Sequence, residues 1–547
     1  MAFCTNCGIE VEEGKLLCDN CMSTPPTNPY DVPVKKEKLP ADNRDMRMAA
    51  LIILPCLLFV NCLFWGGVGA GITLCSLAVL AVTLWYIGKK QARFTAYTVA
   101  CSVLFALHSL SLTLSDDAFT KGLTLLFLAV LYTVILTDAL GLRRYKAGSY
   151  RAVADIVRTA VVGSFSHIGD GCFALFRKSD GEGGIARRKM GNVFIGILIA
   201  LPALLIIVPI LISSDAAFEG LLNKISVDSV GELIATLLFG SPVFLLLFSQ
   251  LFSMGNKEPA PAEQKQRRGV DGIVICSFLA VISAVYVFYL VSQFAYFTGG
   301  FAGILPEEYT SAQYARRGFF EMCTICAINL AIIFLSSVIC DKTDGALPAG
   351  VKALNIFLGL FSLVIIGTAI SKMVLYISSF GMTRLRILTS MFMLFLAATF
   401  VTVILRLFIT KISYMKVILI CACTVLFITC TADVDRVIAT YNVNAYISGQ
   451  LETVDMVTLK ELESDAVIDP LMKLCDEAKE MAFHNEAREM LNHRMREFIV
   501  IEDENRKAIC KSVDYNIRSF NVADYTAKRK LAENWFKYYG RYYYFEQ

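Results

Sequence analysis

Four cysteines in two tight pairs carry the most specific chemistry in this chain. Cys4-Thr5-Asn6-Cys7 and Cys18-Asp19-Asn20-Cys21 form a C-x2-C…C-x2-C frame, with ten residues between the inner cysteines. Two intervening residues let the backbone turn so that both thiolates of a pair can reach one tetrahedral Zn²⁺ at a Zn–S distance of about 2.3 Å. Cys4, Cys7, Cys18 and Cys21 would close the coordination sphere and leave no position for an activated water. The predicted Zn²⁺ is therefore structural and not catalytic. A module of about 20 residues cannot bury a core, so the metal must supply its folding energy.

Other reactive groups are poorly placed for catalysis. His484 and His493 lie nine residues apart, a rotation of about 180° on a helix, so they face opposite ways. His108 falls in an apolar stretch, where a ring bonded to a backbone carbonyl is favoured over a functional site. No Ser-His-Asp order, nucleophile elbow or HExxH helix is present. Gly169-Asp170-Gly171 and Gly181-Glu182-Gly183-Gly184 neither follow a strand nor precede Lys-Ser/Thr, and they read as loop glycines. Cys323-x2-Cys326 repeats the paired spacing inside an apolar helix with no second pair nearby, which suits packing.

The elements that must position these groups are apolar and long. Of 547 residues, 56% are hydrophobic and 18% charged, against about 25% charged in soluble domains. Runs long enough to cross a hydrocarbon core of ~30 Å recur from Met46 to Ala432. The hydropathy predicts eleven spans, near 48–66, 67–88, 94–115, 122–142, 192–213, 231–254, 272–297, 318–340, 353–377, 386–410 and 415–432. The last is the shortest. The expected organisation is a zinc ribbon over 1–22, a Pro/Lys-rich linker over 23–45, a polytopic transmembrane domain over 46–432 and a helical extracytoplasmic domain over 433–547. The first apolar segment is expected to act as an uncleaved anchor.

Charge asymmetry checks the count independently. Lys and Arg concentrate in alternate loops: Lys35, Lys36 and Lys38; Lys89, Lys90 and Arg93; the long stretch from Arg143 to Lys189; Lys265, Arg267 and Arg268; Lys342 and Lys352; Lys411 and Lys416. Asp116, Asp117, Asp215, Glu219 and Asp228 fill the loops opposite. By the positive-inside rule the N-terminus is cytoplasmic and the C-terminal region extracytoplasmic. Between the fourth and fifth spans, Tyr150 to Lys178 has the apolar spacing of a helix lying on the inner face. Asp138, Glu232, Asp271 and Glu321 fall near span ends, which argues against a proton-coupled pump.

Exceptions to the charge rule mark a second candidate site. Arg316, Arg317, Lys372, Arg384 and Arg386 fall at predicted outer span ends, with Glu307, Glu308, Glu321, Asp433 and Asp435 on the same surface. One reading is an anion site gripped by Arg forks. The favoured reading is a salt-bridge network that docks the outer domain on the spans. The aromatic end, Trp535 to Phe545, suits either an interfacial belt or a tail packed on its own domain.

Tyr314-Ala315-Arg316-Arg317-Gly318-Phe319-Phe320-Glu321, Asp433-Val434-Asp435-Arg436-Val437-Ile438-Ala439-Thr440-Tyr441-Asn442, Leu462-Glu463-Ser464-Asp465-Ala466-Val467 and Asp514-Tyr515-Asn516-Ile517-Arg518-Ser519-Phe520-Asn521 occur in that order. Together they resemble a bacterial multipass membrane family known as a domain of unknown function, number 4173. The cysteine frame resembles the zinc-ribbon modules attached to many bacterial membrane proteins, with Met22 where a second glycine is usual. The resemblance implies a bacterial inner-membrane protein and no activity. The expected fold is an all-α integral membrane protein of about eleven spans. The expected role is a non-enzymatic scaffold or signal-coupling protein, with a transporter, or an envelope enzyme on a lipid-linked or anionic substrate, as alternatives. The lipid bilayer, and proteins bound through the ribbon and the C-terminal domain, are the expected partners; nucleic acid is not.

Overall fold

A computed structural model of the chain describes residues 2–3, 10–11, 42–90, 92–143, 151–165, 207, 210, 227–256, 269–301, 319–341, 347–409, 414–496, 499–502, 507–510 and 517–539. Two compact units divide after Pro40. In the first, β1 (Ala2–Phe3) and β2 (Glu10–Val11) pair antiparallel, with Ala2 opposite Val11 and Phe3 opposite Glu10. Cys4, Cys7, Cys18 and Cys21 lie outside the described residues.

The second unit, Ala41–Gln547, is a helical assembly. Its helices are α1 (Asn43–Asn61, running into a π-helical turn over Cys62–Gly66), α2 (Ala70–Lys89), α3 (Ala96–Leu114), α4 (Ala118–Ala139), α5 (Arg151–Phe165), α6 (Val227–Gly255), α7 (Gly272–Phe301), α8 (Phe319–Ile339), α9 (Ala349–Phe380), α10 (Arg384–Phe408) and α11 (Tyr414–Thr431). Then follow α12 (Val434–Ile447), α13 (Met456–Lys460), α14 (Ile468–Glu477), α15 (Met481–Met495), the hairpin β3 (Ile499–Glu502) and β4 (Lys507–Cys510), α16 (Val522–Glu533) and α17 (Trp535–Tyr539). The hairpin is an addition to the helical C-terminal domain that the sequence suggests. Ile499-Val500-Ile501 is a β-branched run, and such residues favour a pleated strand over a helix.

Among the described residues nine helices are long and apolar enough to cross a membrane, or up to ten if the bent pair formed by α11 and α12 counts as one span. The predicted span at 192–213 lies outside the described residues. Named contacts show which way α1–α4, α6 and α11 run. One end of the bundle, the near end, gathers Asp45 of α1, Tyr86 and Lys90 at the close of α2, and Asn256 after α6. It also holds Thr95 and Thr98 with Asp138 and Arg143, and Lys416 over the Tyr97 ring. The far end gathers Asn61 with Glu232, and Asp433 with the turn between α3 and α4.

The weakest predicted span gains definition here. α11 starts with Lys416 4.3 Å over Tyr97 and finishes with Cys430 2.9 Å from Thr124, so it traverses the same thickness as α3 and α4. α9 has 32 residues, about 48 Å of helix against a core of ~30 Å, and so carries its end beyond a bilayer or tilts.

Among the described residues three apolar cores result. One packs α1–α4 with α6 around Ile72, Leu131, Phe248 and Phe252. A second packs α7–α10 around Leu279, Leu358, Phe361 and Phe400. The third lies in the C-terminal domain around Ile438, Leu471, Leu491 and Leu531, and draws in Ile387 of α10. α5 lies alongside α6, where Gln250 donates to the Thr159 carbonyl at 3.5 Å.

Candidate functional site

The junction between the spans and the C-terminal domain is built around Asp433. The chain bends by 61° between α11 and α12. Asp433 takes φ 53° there, a positive value that costs a non-glycine residue of order 1–3 kcal/mol. Its side chain compensates. One oxygen caps α12 through the Arg436 N–H at 3.2 Å. The other accepts from the Asp116 N–H at 2.9 Å and from the Ser464 hydroxyl at 3.0 Å. One buried carboxylate thus ties the last span, the α3–α4 turn and the 3-10 turn before α14.

Asp435, fully buried, completes the junction. It accepts from Arg384 Nη2 at 2.6 Å and from the Glu463 and Ser464 N–H groups at 3.1 and 3.2 Å. Arg384 Nη2 also lies 3.2 Å from Asp117 Oδ1, and Asp117 caps α4 through Phe119 and Thr120. Charge-assisted bonds of this kind are stronger than neutral ones. Arg386 is committed elsewhere. Its guanidinium lies 3.9 Å from the Tyr376 ring centroid and donates to the carbonyls of Phe380, at 3.0 Å, and Gly381. Asn442 of α12 grips the same turn, accepting from Met382 N–H at 2.6 Å and donating to its carbonyl at 2.9 Å. Gly381 has φ +76°, and a Cβ there would stand 2.7 Å from Asn442 Oδ1.

Of the predicted surface, Arg384, Asp433 and Asp435 come together, and Arg386 sits on the adjoining turn. Glu307, Glu308, Arg316 and Arg317 lie outside the described residues, and Glu321 falls within the first turn of α8.

A second layer of charge surrounds the first. Carboxylates of Asp116, Asp465 and Asp524 converge within 4.8 Å. That spacing could hold a divalent cation, but side-chain cations already sit on each: Lys121 on Asp116 at 3.0 Å, Arg494 and Lys528 on Asp465 at 2.5 and 3.0 Å, and Lys528 on Asp524 at 3.1 Å. Burial pushes the Asp524 carboxyl up to about 6, against the pull of Lys528. Burial also acts on Asp465, yet Lys528 and Arg494 together hold it below the usual carboxylate range. A raised acid binds more protons folded than unfolded, so the Asp524 contribution weakens as pH rises from about 4 to about 6. The Asp465 contribution runs oppositely and is lost only at lower pH. Hydrogen-exchange protection of α16 should therefore be greater at pH 5 than at pH 7.5, and Asp524→Asn should flatten that difference; equal slopes in both proteins would contradict this assignment.

The segment before α16 closes the site. The Ala70 N–H donates to the Phe520 carbonyl at 2.9 Å, and Arg518 reaches Glu232 and Asn61 at 2.5 and 2.7 Å. Gly69 makes this possible, because a Cβ there would lie 2.7–2.9 Å from the backbone of Ser519 and Phe520. Asn521 caps α16 and donates to the Leu112 carbonyl at 3.4 Å and to that of Ser115.

Two polar clusters escaped the sequence reading. In the second core Tyr286 donates to Asn329 at 2.7 Å and Asn329 to Ser362 at 3.0 Å; seven residues along each helix, Ser336 donates to Asn355 at 2.9 Å. The seven-residue spacing of Asn and Ser on α8 and α9 was the available signal. At the near end, buried Asp45 accepts from Tyr86 at 2.7 Å and lies 3.2 Å from Lys90. His108 is buried with Nδ1 2.8 Å from the Leu104 carbonyl, and His484 Nδ1 meets the Cys475 carbonyl at 2.5 Å.

A family model described as a domain of unknown function, DUF4153, matches residues 99–469. The chain belongs to this family. The number replaces the 4173 of the sequence resemblance. The DUF4153 match starts in α3, well before the segments that begin at Tyr314, and stops before the Asp514–Asn521 segment. The matched range includes the α3–α4 turn, with Asp116 and Asp117, which is as much part of the junction as Asp433 and Asp435. Asp116, Asp117, Asp433 and Asp435 all fall within the DUF4153 match, as does Asp465 of the second layer, whereas Asn521 and Asp524 lie beyond it. No curated protein and no solved structure matches the chain.

Proposed function

We propose that this DUF4153 protein is a non-enzymatic scaffold or signal-coupling protein of a bacterial inner membrane. A structural zinc ribbon lies on the cytoplasmic side and a helical domain is held rigidly on the outer side. The single observation that carries this reading is the Asp433–Asp435 junction, which ties the last span, the α3–α4 turn, the start of α10 and the C-terminal domain into one hydrogen-bonded unit. A shift of the outer domain cannot occur there without moving span ends, which is the requirement for passing a mechanical signal.

Eleven crossings remain the count we favour. The chain leaves α4 at the near end and takes up α6 at the far end, so an odd number of crossings separates them; the apolar stretch at 192–213 supplies one. The near end carries Lys89, Lys90, Arg93, Arg143, Lys352 and Lys416, which supports a cytoplasmic assignment. Four thiol donors support a closed Zn²⁺ site, and β1 and β2 pair on either side of the stretch that contains Cys4 and Cys7.

A permease reading draws on the Tyr286–Asn329–Ser362 and Ser336–Asn355 seam. Its bonds run from helix to helix, as expected of polar residues that hold spans together, and only the Asn355 amide nitrogen in it lacks a partner. The lipid-linked enzyme reading loses Arg384 and Arg386 to internal partners. Two-sidedness is testable. Cysteine replacing exposed Val457 should react with an impermeant thiol reagent in intact spheroplasts, and cysteine replacing Lys89 should react only after permeabilisation. Reaction of both from the same side would overturn the reading.

A further inference from the structure

Arg384 and Arg386 are spoken for, but Arg436 is not. Its backbone N–H is bonded to Asp433, while its side chain is exposed and has no acid within 4 Å among the described residues. Arg436 lies in the first turn of α12, four residues past Ala432 and just after the bend at which α11 ends. An open groove runs from Ala432 along α12, with the apolar Val437 and Ala445 in its wall beside Arg436, Thr440, Tyr441, Asn444, Ser448 and Gln450. At its far rim exposed Lys473 donates to Asn444 at 2.7 Å. Lys473 likewise has no acidic partner among the described residues. Two unneutralised cations therefore flank a row of hydroxyl and amide groups beside the end of a span.

We propose that this groove seats the phosphate headgroup of an anionic phospholipid from the leaflet that α11 reaches. Arginine suits a phosphate because its fork donates two parallel bonds, and the hydroxyl and amide row suits the glycerol and its ester oxygens. Tyr441 offers the amphipathic ring found at headgroup depth. The occupant follows from position: the groove opens beside Ala432, where acyl chains would run down the exposed side of α11 while the phosphate rests on Arg436. This inference uses the passage of α11 through the bilayer but does not depend on which face is outer.

The full-length protein, purified and placed in phosphatidylcholine nanodiscs with and without phosphatidylglycerol, tests it by native mass spectrometry of retained lipid. The unmodified protein should retain phosphatidylglycerol preferentially. The double variant R436Q/K473Q should lose that preference by about tenfold, and R436K should keep part of it. R529Q, which breaks an exposed pair with Glu533 on α16, should behave as unmodified protein. Folding of the variants is checked by their unchanged melting in phosphatidylcholine alone. Equal retention by R436Q/K473Q and unmodified protein would overturn the proposal. So would displacement of the lipid by inorganic phosphate, which would mark a soluble-anion site, or an equal loss in R529Q, which would mark non-specific charge.

Discussion

Asp435→Ala is expected to release the C-terminal domain from the spans while leaving both folded. The substitution removes the acceptor of the buried Ser464 N–H and the part-buried Glu463 N–H, and strips Arg384 of its closest partner. Leaving the Ser464 N–H buried without an acceptor costs about 1–3 kcal/mol, and loss of the closer of Arg384's two acid partners adds to that, although Asp117 stays 3.2 Å away. That is a large share of the 5–15 kcal/mol typical of a whole domain. Hydrogen exchange should rise by two or more orders of magnitude across the start of α12 and residues 462–466, and much less within α14 and α15, whose own core around Leu471 and Leu491 is untouched. Asp435→Asn, which keeps an acceptor oxygen but no charge, should fall between. Uniform loss of protection through the domain would mean that Asp435 holds the fold and not the junction.

Zinc removal is expected to have the next largest effect, confined to the first unit. Met1–Pro40 is compact apart from the rest of the chain. A module of about 20 residues cannot bury a core, so its folding would come from metal ligation, worth about 10–16 kcal/mol in isolated zinc-finger peptides. Cys4→Ser with Cys7→Ser should take purified protein from about one zinc per chain to none. The melting of the helical unit should be unchanged. Zinc-free unmodified protein would end the ribbon assignment, and a shift in the melting of the spans would show that the two units depend on each other.

Why some of this was legible and some not comes down to range. Spans are local: an apolar run announces itself, and nine of the predicted eleven recur as long apolar helices. The shortest, 415–432, was hard to judge by length alone. Its passage shows through contacts such as Lys416 on Tyr97 and Cys430 on Thr124, pairs more than 300 residues apart in sequence. Arg384 stood out because it broke a charge rule, and Asp433 and Asp435 because they share its predicted surface where the chain leaves the last span. Asp116 and Asp117 obeyed it, and so gave no sign that they were partners of the same junction. Asn329, Asn355 and Ser362 dilute an apolar run without breaking it, so the seam between α8 and α9 stayed hidden. The hairpin Ile499–Cys510 was missed because apolar helical spacing earlier in the domain was carried through a β-branched stretch.

Rigid coupling across the Asp433–Asp435 junction is the central claim, and a distance distribution tests it most directly. Genetically encoded spin labels replacing Leu126 on the exposed face of α4 and Met481 on the C-terminal domain report the relative position of spans and domain. In membranes the unmodified protein should give a single narrow distribution, and Asp435→Ala should broaden it. A broad or two-peaked distribution in the unmodified protein would contradict the coupling.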